Sequence, residues 1–445
     1  MATQALGPDQ GFTYRRSPSA TEAFEGWLKE HGQELPQHTE RWDVSRSDIY
    51  VEDRWQPIFA EMRSQAPVNK VHESPYGAYW NVSTVKAIQH VEALPELYSS
   101  ASERGGITIG DPPEDMDPAE LAERRLRMFI AMDRPEHTGQ RRTVAPAFTP
   151  AEIDKLATEV RMRTAATLDE LPFGEQFDWV DKVSIELTTG MLAILFGFPW
   201  EDRRLLTFWS DWAGDVELGL ARGLEDTRHE ILQEMLHYFS RLWAERAGAA
   251  PARDLISMMI HSDAMSHMSP QEFMGNLVLL IVGGNDTTRN TMSGIVHALD
   301  KFPDQRALFE NDPSVIPGAV QECIRYVTPL AHMRRTATAD ADLFGNQIKA
   351  GDKLILWYIS ANRDEAVFEN PDQLILNRDN SRRNLSFGYG IHRCVGARLA
   401  ELQLKILLEE MHKRRMRVRV SGEQQRVRAN FVHGFRKLET TIEKF

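Results

Sequence analysis

Residues 387–400, FGYGIHRCVGARLA, constrain the fold more than any other stretch of this chain. Gly388 and Gly390 allow backbone angles that other residues avoid, so the segment can turn sharply and direct backbone N–H groups at the sulfur of Cys394. Apolar residues recur at helical spacing from Val395 onward, which predicts a helix whose N-terminus lies beside the sulfur. N–H groups and a helix dipole both stabilise a thiolate, which is the form of cysteine that binds metals.

Two interpretations of Cys394 are open from these residues alone. A free cysteine is commonly buried as a small apolar side chain, and the glycines would then only shape a turn. In the second interpretation the sulfur binds a metal, and Gly396 and Ala400 keep one side of the following helix slim beneath a flat, bulky group. The chain has 2 cysteines and no closely spaced cysteine or histidine pair, so a zinc site is not expected.

The 445-residue chain has no repeat, linker or low-complexity block, which favours one large globular unit. Its formal net charge of -13 argues against a nucleic-acid partner, because phosphate binding needs a basic face. No apolar run approaches the roughly 20 residues that span a bilayer, so no transmembrane segment is expected. Two distant cysteines without a signal peptide argue for a reducing compartment. We therefore expect a soluble, cytoplasmic protein.

Helical periodicity dominates the rest of the sequence. Ser269 and Pro270 have the residue types of an N-cap and a first helical position. Short strand-like segments lie towards the two ends of the chain, at 66–73, 77–83, 340–359 and 427–445. Apolar residues at intervals of three and four predict long helices over residues 150–171, 228–248, 269–302, 314–327 and 394–414. The pattern predicts a mainly α fold with a minor β portion.

The cysteine-ligand loop of the cytochrome P450 family is matched at every position by Phe387, Gly390, His392, Cys394, Gly396 and Ala400. The chain resembles this family from about residue 35 onward. The resemblance implies a cytochrome P450 fold over residues 35–445, a single large domain that encloses haem b, preceded by a partly flexible extension over residues 1–34. It also implies that Cys394 is the thiolate ligand of the haem iron and that Phe387, Gly388 and Gly396 contact the cofactor.

A second motif is QECIRY, in which Glu322 and Arg325 share one helical face. Such pairs are usually solvated, but this one resembles the family's Glu-x-x-Arg, which supports the cysteine loop. The resemblance adds Arg378 as the third member of that set. It assigns all three residues to folding and haem retention, and leaves Cys323 as a buried thiol.

A third motif, GGNDTTRN at residues 283–290, interrupts an apolar helical run. Two adjacent glycines inside a helix cost about 1 kcal/mol each against alanine, so they need a physical reason. Threonine hydroxyls can bond the carbonyl four residues earlier and distort the helix; a tolerated kink is the alternative interpretation. The motif fits the family's distal helix, which implies that Asp286 and Thr287 are the acid–alcohol pair placed beside dioxygen to deliver protons.

Haem carries two propionates, and burying them requires cationic or hydrogen-bonding partners. The resemblance assigns this role to His137 and Arg141, which are four residues apart, and to His392 in the cysteine loop. It also assigns Arg335, with Arg334 as the nearby alternative.

The resemblance implies monooxygenation with O2 and two electrons. The chain has no flavin or nicotinamide fingerprint and no four-cysteine set for an iron–sulfur cluster, so ferredoxin and ferredoxin reductase are the expected external donors. Residues 378–420 contain 11 Lys and Arg against 4 Asp and Glu, which suits an acidic ferredoxin, although an ordinary charged helix face is the alternative. The predicted docking residues are Arg382, Arg383, Arg393, Arg398, Lys405, Lys413, Arg414 and Arg415.

The substrate pocket is predicted, by family analogy, to be mostly apolar, which suits an aliphatic substrate. Its expected lining residues are Ile107, Ile109, Leu279, Val282, Gly283, Leu330, Met333 and Phe431. The chain resembles the soluble bacterial branch of the family that hydroxylates the terminal carbon of medium-chain n-alkanes and fatty acids. The segments that carry this resemblance are GGIT, MFIAMDRPEHTGQRRTVAPAF and GGNDTTRNTMSG. Alternatives are a steroid or branched-lipid side-chain hydroxylase, a peroxide-driven haem enzyme and a haem sensor. The acidic run over residues 110–123 bears on the pocket entrance.

Overall fold

The structure is a computed structural model that describes residues 19–32, 38–111, 116–214, 221 and 223–445. Helices make up most of its regular structure, as predicted. They are α1 Ala20–His31, α2 Asp48–Val51, α3 Trp55–Gln65, α4 Val85–Glu92, α5 Pro118–Arg124, α6 Glu136–Val144, α7 Pro150–Asp169, α8 Glu186–Phe196, α9 Leu205–Gly214, α10 Leu224–Arg246, α11 Leu255–Ile260, α12 Pro270–Lys301, α13 Pro303–Asn311, α14 Ile316–Val327, α15 Tyr358–Ala361 and α16 Ala397–Lys413.

The strands form a minor β portion, also as predicted. They are β1 Val68–Val71, β2 Tyr79–Val82, β3 Tyr98–Ser99, β4 Phe177–Asp178, β5 Met333–Ala337, β6 Ala341–Leu343, β7 Asn346–Ile348, β8 Lys353–Leu356, β9 Met416–Arg426 and β10 Phe435–Lys444. One sheet has the order β1-β2-β8-β5-β3, another has the order β4-β10-β9, and β6 pairs with β7. In the first sheet Trp80 of β2 lies opposite Leu354 of β8 in a parallel pair.

Four of these strands lie outside the predicted strand segments: the two-residue strands β3 and β4, and the longer β5 and β9. Strand β5 contains Arg334 and Arg335, and two adjacent charged residues are unusual in a buried strand. Strand β9 begins only three residues after α16 ends, and its alternation of apolar and charged residues over 416–420 is a period-two signal.

The predicted N-terminal extension contains a packed helix. Helix α1 begins after Ser19, whose Oγ accepts a hydrogen bond from the Glu22 N–H at 3.2 Å. Ala20 and Phe24 are buried in the same apolar cluster as Trp209 of α9. The described part of this segment is therefore anchored to the core, while residues 1–18 and 33–34 lie outside the described residues.

Helix α12 runs through the centre of the molecule and contacts α8, α9, α14 and α16. The predicted N-cap is confirmed, because the Ser269 Oγ accepts a hydrogen bond from the Glu272 N–H at 3.2 Å and Pro270 is the first helical residue. The helix continues without interruption through Gly283 and Gly284. It therefore carries the GGNDTTRN motif into the interior.

A buried ionic network connects α14 to the segment before the cysteine loop. Both carboxylate oxygens of Glu322 accept hydrogen bonds from Arg325, each at 2.7 Å, and from the Nε of Arg378 at 3.0 and 3.1 Å. Arg325 also donates to the carbonyl oxygens of Asn362, Pro371 and Gln373. The side chains of Glu322 and Arg325 are fully inaccessible to solvent. This geometry fits the supporting role assigned to the three residues.

The network reaches the cysteine loop through Asn362 and Ser386. The Asn362 side chain accepts from the Leu385 N–H at 2.7 Å and donates to the Ser386 Oγ at 2.8 Å. Ser386 in turn donates to the carbonyl of Ile324 in α14 at 2.9 Å. The start of the loop is thus tied to the same helix as the buried network.

Replacing Arg325 with methionine is expected to lower the free energy of unfolding by about 3–5 kcal/mol, because the buried Glu322 carboxylate loses one of its two cations. Urea unfolding followed by circular dichroism measures the change. The control is Lys349→Met, which breaks the 2.8 Å pair of Lys349 with Asp340, in which both side chains are more than 60% exposed. That control is expected to change the free energy by less than about 1 kcal/mol. Equal effects of the two substitutions would contradict the structural role of the network.

Candidate active site

A cavity of about 900 Å³ lies between α12 and the cysteine loop. Cys394 and Phe387 line it from the loop, and Thr287 lines it from α12. Gly396, Leu399 and Ala400 add the start of α16 to the wall. The volume lies at the upper end of the range for small-molecule and cofactor sites in proteins.

Cys394 is a free cysteine whose accessible side chain faces this cavity, although it lies deep enough in the fold to be desolvated. Burial raises the pKa of its thiol, while N–H groups of Gly396 and Ala397 at the sulfur and the cations Arg141 and Arg393 act in the opposite direction. These N–H groups belong to the N-terminus of α16. The second cysteine, Cys323, is buried in α14, and its thiol pKa is raised chiefly by burial.

The glycines of the loop act differently from the sequence-based expectation. Gly388 and Gly390 both have φ of 66°, but the Gly388 N–H donates to the Leu385 carbonyl at 2.8 Å rather than to the sulfur. A Cβ on Gly390 would lie 2.3 Å from the carbonyl oxygen of Glu92, so no larger residue fits there. The loop glycines set the path of the backbone, and the residues after Cys394 supply the N–H groups.

Two buried histidines at one end of the cavity have nitrogens without hydrogen-bond partners among the described residues. These atoms are both ring nitrogens of His137 and the Nδ1 of His392. The two rings pack edge to face with centroids 4.4 Å apart, and His392 lines the cavity. Burial, together with the nearby Arg141 and Arg134, lowers the pKa of His137 to about 4.

Two predicted arginines complete this end of the cavity. Arg141 and Arg335 both line it, and Arg335 is only 3% exposed. The alternative, Arg334, instead points to Asp111 and to the carbonyl of Arg104. Three members of the predicted set, Arg141, Arg335 and His392, therefore line one part of the cavity, and His137 packs against His392 without lining the cavity itself.

The residues present fit a haem. Orphaned imidazole nitrogens, the buried Arg335 and the partly exposed Arg141 provide donors and positive charge of the kind that two propionates require. Gly396 lines the cavity without a side chain, and a Cβ there would meet only the Phe148 ring, at 3.8 Å. The Cys394 sulfur, backed by N–H groups, is a suitable thiolate ligand for its iron.

The α12 side of the cavity explains the adjacent glycines. A Cβ on Gly283 would meet no atom within 4 Å, and this residue lines the cavity, so it leaves open space there. A Cβ on Gly284 would lie 2.7 Å from the side chain of Leu192, so this residue allows α8 to pack closely. The Thr287 Oγ1 donates to the Gly283 carbonyl at 2.8 Å, which is the predicted bond to the residue four positions earlier.

Asp286 does not share the cavity with Thr287, which corrects the expectation that both lie beside dioxygen. Neighbouring residues on an α-helix point about 100° apart, and Asp286 faces α9. Its carboxylate accepts from the Ser210 Oγ at 2.8 Å, from Arg289 at 2.9 Å and from the Asn285 amide at 3.0 Å. Burial raises the pKa of Asp286, while Arg289 opposes that shift.

The ionic cluster around Asp286 extends outward from α12. Arg289 also donates to Asp211 at 2.8 Å, and Asp211 is bound by Arg436 of β10. The side chain of Asp211 is 16% exposed, against 2% for Asp286. The cluster therefore leads from the buried carboxylate towards the protein surface.

Seven of the eight predicted pocket residues line the cavity: Ile107, Leu279, Val282, Gly283, Leu330, Met333 and Phe431. Ile109 does not, because it is buried in a neighbouring apolar cluster with Ala331 and Trp357. The prediction missed the contribution of α8, from which Met191, Leu192 and Leu195 line the cavity. The signal was available, since α8 is apolar along most of its length.

Described residues of the acidic run over 110–123 contribute to the cavity wall. Asp117 caps α5 by accepting from the Ala119 N–H at 2.8 Å, and Met116, Glu120 and Leu121 line the cavity. Arg124 pairs with Asp226 of α10 at 2.8 Å, and both residues line the cavity. Residues 112–115 lie outside the described residues.

The structure divides the predicted docking residues into two groups. The first group is exposed and forms no ion pair with any described residue; it consists of Arg382 and Arg383 in the segment before the cysteine loop, Arg393 beside Cys394, and Arg398 in the first turn of α16. The second group is engaged: Lys405 pairs with Glu409, Lys413 and Arg414 pair with Glu410, and Arg415 donates to the Phe445 carbonyl. The unpaired positive charge therefore belongs to the cysteine loop, the segment before it and the start of α16.

Comparisons with known proteins agree with this geometry. The family model "Cytochrome P450" matches residues 73–428. A solved structure, cytochrome P450-153 from Novosphingobium aromaticivorans, has 78% sequence identity and a TM-score of 0.88 over 91% of this chain and 100% of that one. Linalool 8-monooxygenase from Pseudomonas putida is 33% identical over 91% of this chain and 99% of its own length. Steroid C26-monooxygenase from Rhodococcus jostii is 30% identical over 91% of this chain and 85% of its own length.

Within the described ranges, no helix combines the length and the apolar character that crossing a membrane requires.

Proposed function

This chain belongs to the cytochrome P450 family and is a monooxygenase, and from that premise we propose that it hydroxylates the terminal carbon of medium-chain n-alkanes or fatty acids. The observation that carries the proposal is the single, mostly apolar cavity that Cys394 and Thr287 line from different elements. The proposed reaction uses O2 and two electrons from a ferredoxin, which a ferredoxin reductase supplies.

The proposed cofactor is haem b. Cys394 would be its iron ligand, and Arg141, Arg335, His137 and His392 would hold its propionates, while Phe387, Gly388 and Gly396 would contact the ring. When bound, the haem supplies the activation of dioxygen, and a thiolate ligand favours cleavage of the O–O bond. The remaining chemistry depends on side chains of the chain itself.

Proton delivery is the proposed task of α12. The Thr287 hydroxyl is held by the Gly283 carbonyl and lines the cavity, so it is placed to hydrogen-bond there. Asp286 lies behind it in a cluster that reaches the partly exposed Asp211. We assign to Thr287 the hydrogen bond in the cavity and to Asp286 the transfer of protons from the surface side.

The lining supports an aliphatic substrate. Side chains from α8 and α12, with Leu330, Met333 and Phe431, make the interior apolar. Ionisable side chains of the lining include Glu120 and Arg124 of α5, and Glu120 is exposed to solvent, so an aliphatic chain that enters this way with its methyl end first leaves any polar end near water.

Titration of the ferric protein with n-alkanes from hexane to hexadecane, the matching fatty acids and a sterol tests the substrate class. The expected result is a spin-state change with medium-chain alkanes or fatty acids, followed by terminal alcohols in turnover with a surrogate ferredoxin system. The steroid C26-monooxygenase relative makes a sterol the relevant competitor. A response to the sterol alone would contradict the proposal.

The source of electrons distinguishes two other classes of haem protein from the proposed monooxygenase. A peroxide-driven enzyme would form product with peroxide but not with ferredoxin and reductase. A haem sensor would turn over with neither and would need no Thr287 hydroxyl in the cavity. The unpaired arginine group and the Thr287 geometry favour the ferredoxin-dependent monooxygenase over both.

Thr287→Ala is expected to uncouple the enzyme, because the hydroxyl that manages protons in the cavity is lost. The yield of product per reductant consumed should fall by about tenfold or more, with peroxide released instead. Thr287→Ser, which keeps the hydroxyl, is the matched control and should retain most of the coupling. Parallel measurement of reductant oxidation, peroxide and alcohol gives the result, and normal coupling in Thr287→Ala would remove Thr287 from proton delivery.

Arg398→Glu is expected to slow reduction by ferredoxin, since it reverses one charge in the unpaired arginine group. The control is Lys413→Glu, about 22 Å further along α16 at 1.5 Å per residue. Stopped-flow reduction of the CO-bound protein should be slowed about tenfold by Arg398→Glu at low salt and much less by Lys413→Glu. The wild-type rate should also fall as salt is added. Salt-independent reduction, or equal effects of the two variants, would contradict docking on the cysteine side.

A further inference from the structure

Glu92 is a buried carboxylate to which the proposed function gives no role. It is the last residue of α4, its side chain is 1% exposed, and it lines the cavity at the end where Arg335 and His392 lie. Carboxylates are rarely buried in this way unless they are paired and hydrogen-bonded, so its partners indicate what it does.

Three donors from three segments meet at this carboxylate. The Tyr358 hydroxyl donates to Oε1 at 2.7 Å, and the Arg335 guanidinium donates to the same oxygen at 3.0 Å. The Tyr389 N–H, in the middle of the cysteine loop, donates to Oε2 at 2.9 Å. Glu92 thus joins α15, strand β5 and the loop that carries Cys394.

The backbone of Glu92 also shapes the loop. Its carbonyl oxygen is the atom that a Cβ on Gly390 would approach to 2.3 Å, and its Oε1 would lie 3.7 Å from a Cβ on Gly388. Both glycines have φ of 66°. The turn of the cysteine loop is therefore fitted closely around this one residue.

We propose that Glu92 is a positioning residue with two effects. Its carboxylate fixes the cysteine loop by accepting the hydrogen bond from the Tyr389 N–H. Its negative charge also binds Arg335 and so competes with a haem propionate for that guanidinium group. The proposal rests on the proposed function, because it concerns how this chain receives haem. Arg335 is the only cation in direct contact with Glu92 among the described residues, so the carboxylate and a propionate would share one guanidinium.

The two effects of Glu92 have opposite signs and can be separated by substitution. Glu92→Gln removes the charge but keeps an oxygen for the Tyr389 N–H and a polar partner for the Tyr358 hydroxyl. Arg335 is then free to bind a propionate more strongly. Glu92→Leu removes the hydrogen bond to the loop as well. Tyr358→Phe removes one hydrogen bond from an uncharged donor, leaves both the charge of Glu92 and the bond to the Tyr389 N–H in place, and is the matched control.

The test uses the purified holoenzymes and measures haem release to excess apomyoglobin, together with thermal unfolding and the ferric electron paramagnetic resonance signature of thiolate ligation. Glu92→Gln should release haem about threefold more slowly than wild type, with an unchanged signature. Glu92→Leu should release it about tenfold faster and lose part of the thiolate signature. Tyr358→Phe should remain within about twofold of wild type.

Faster or unchanged haem release in Glu92→Gln would overturn the proposed competition for Arg335. This measurement does not depend on whether Glu92→Leu folds. An intact thiolate signature and unchanged haem release in a folded Glu92→Leu would overturn the anchoring of the loop. These results are distinct from failure of the proposed function, in which wild type itself would lack thiolate-bound haem.

Discussion

The placement of Cys394 depends on the buried ion pairs between the Glu322 carboxylate and the arginines Arg325 and Arg378. Both arginines donate to the carboxylate inside a region from which solvent is excluded, and Arg325 also satisfies three backbone carbonyls. A charged group at such a position is stable only when its partners are present together. Because Asn362 and Ser386 continue the contacts to the start of the loop, the network fixes the position of a loop that has little regular structure of its own.

Side chains with different proposed roles lie on different faces of helix α12. Thr287 points to the cavity and Asp286 points to α9, although they are neighbours in the sequence. The close approach of α9 depends on Gly214, where a Cβ would lie 2.8 Å from the Asp286 carboxylate. The α12 side of the cavity can therefore remain apolar while a charged cluster lies one residue away, which is the separation of substrate binding from proton supply that the proposed function requires.

Much of the fold and site could be predicted because strong local patterns agreed with one another. The long helices and the N-cap at Ser269 followed from periodicity and residue type, and the proximity of His137, Arg141, Arg335 and His392 followed from the family resemblance. The direction of Asp286 and the burial of Ile109 could not, since they depend on which neighbouring element packs against each residue. Glu92 carried no sequence signal at all, because its role arises from three donors that are distant in the chain.

The thiolate role of Cys394 is tested most directly by the absorption spectrum of the reduced protein under carbon monoxide. With Cys394 as the iron ligand, the Soret band of this adduct should be strongly shifted to the red, and Cys394→Ala should abolish the shift while leaving the protein folded. A wild-type adduct without the red shift, or a red shift that persists in Cys394→Ala, would contradict the assignment of this cysteine.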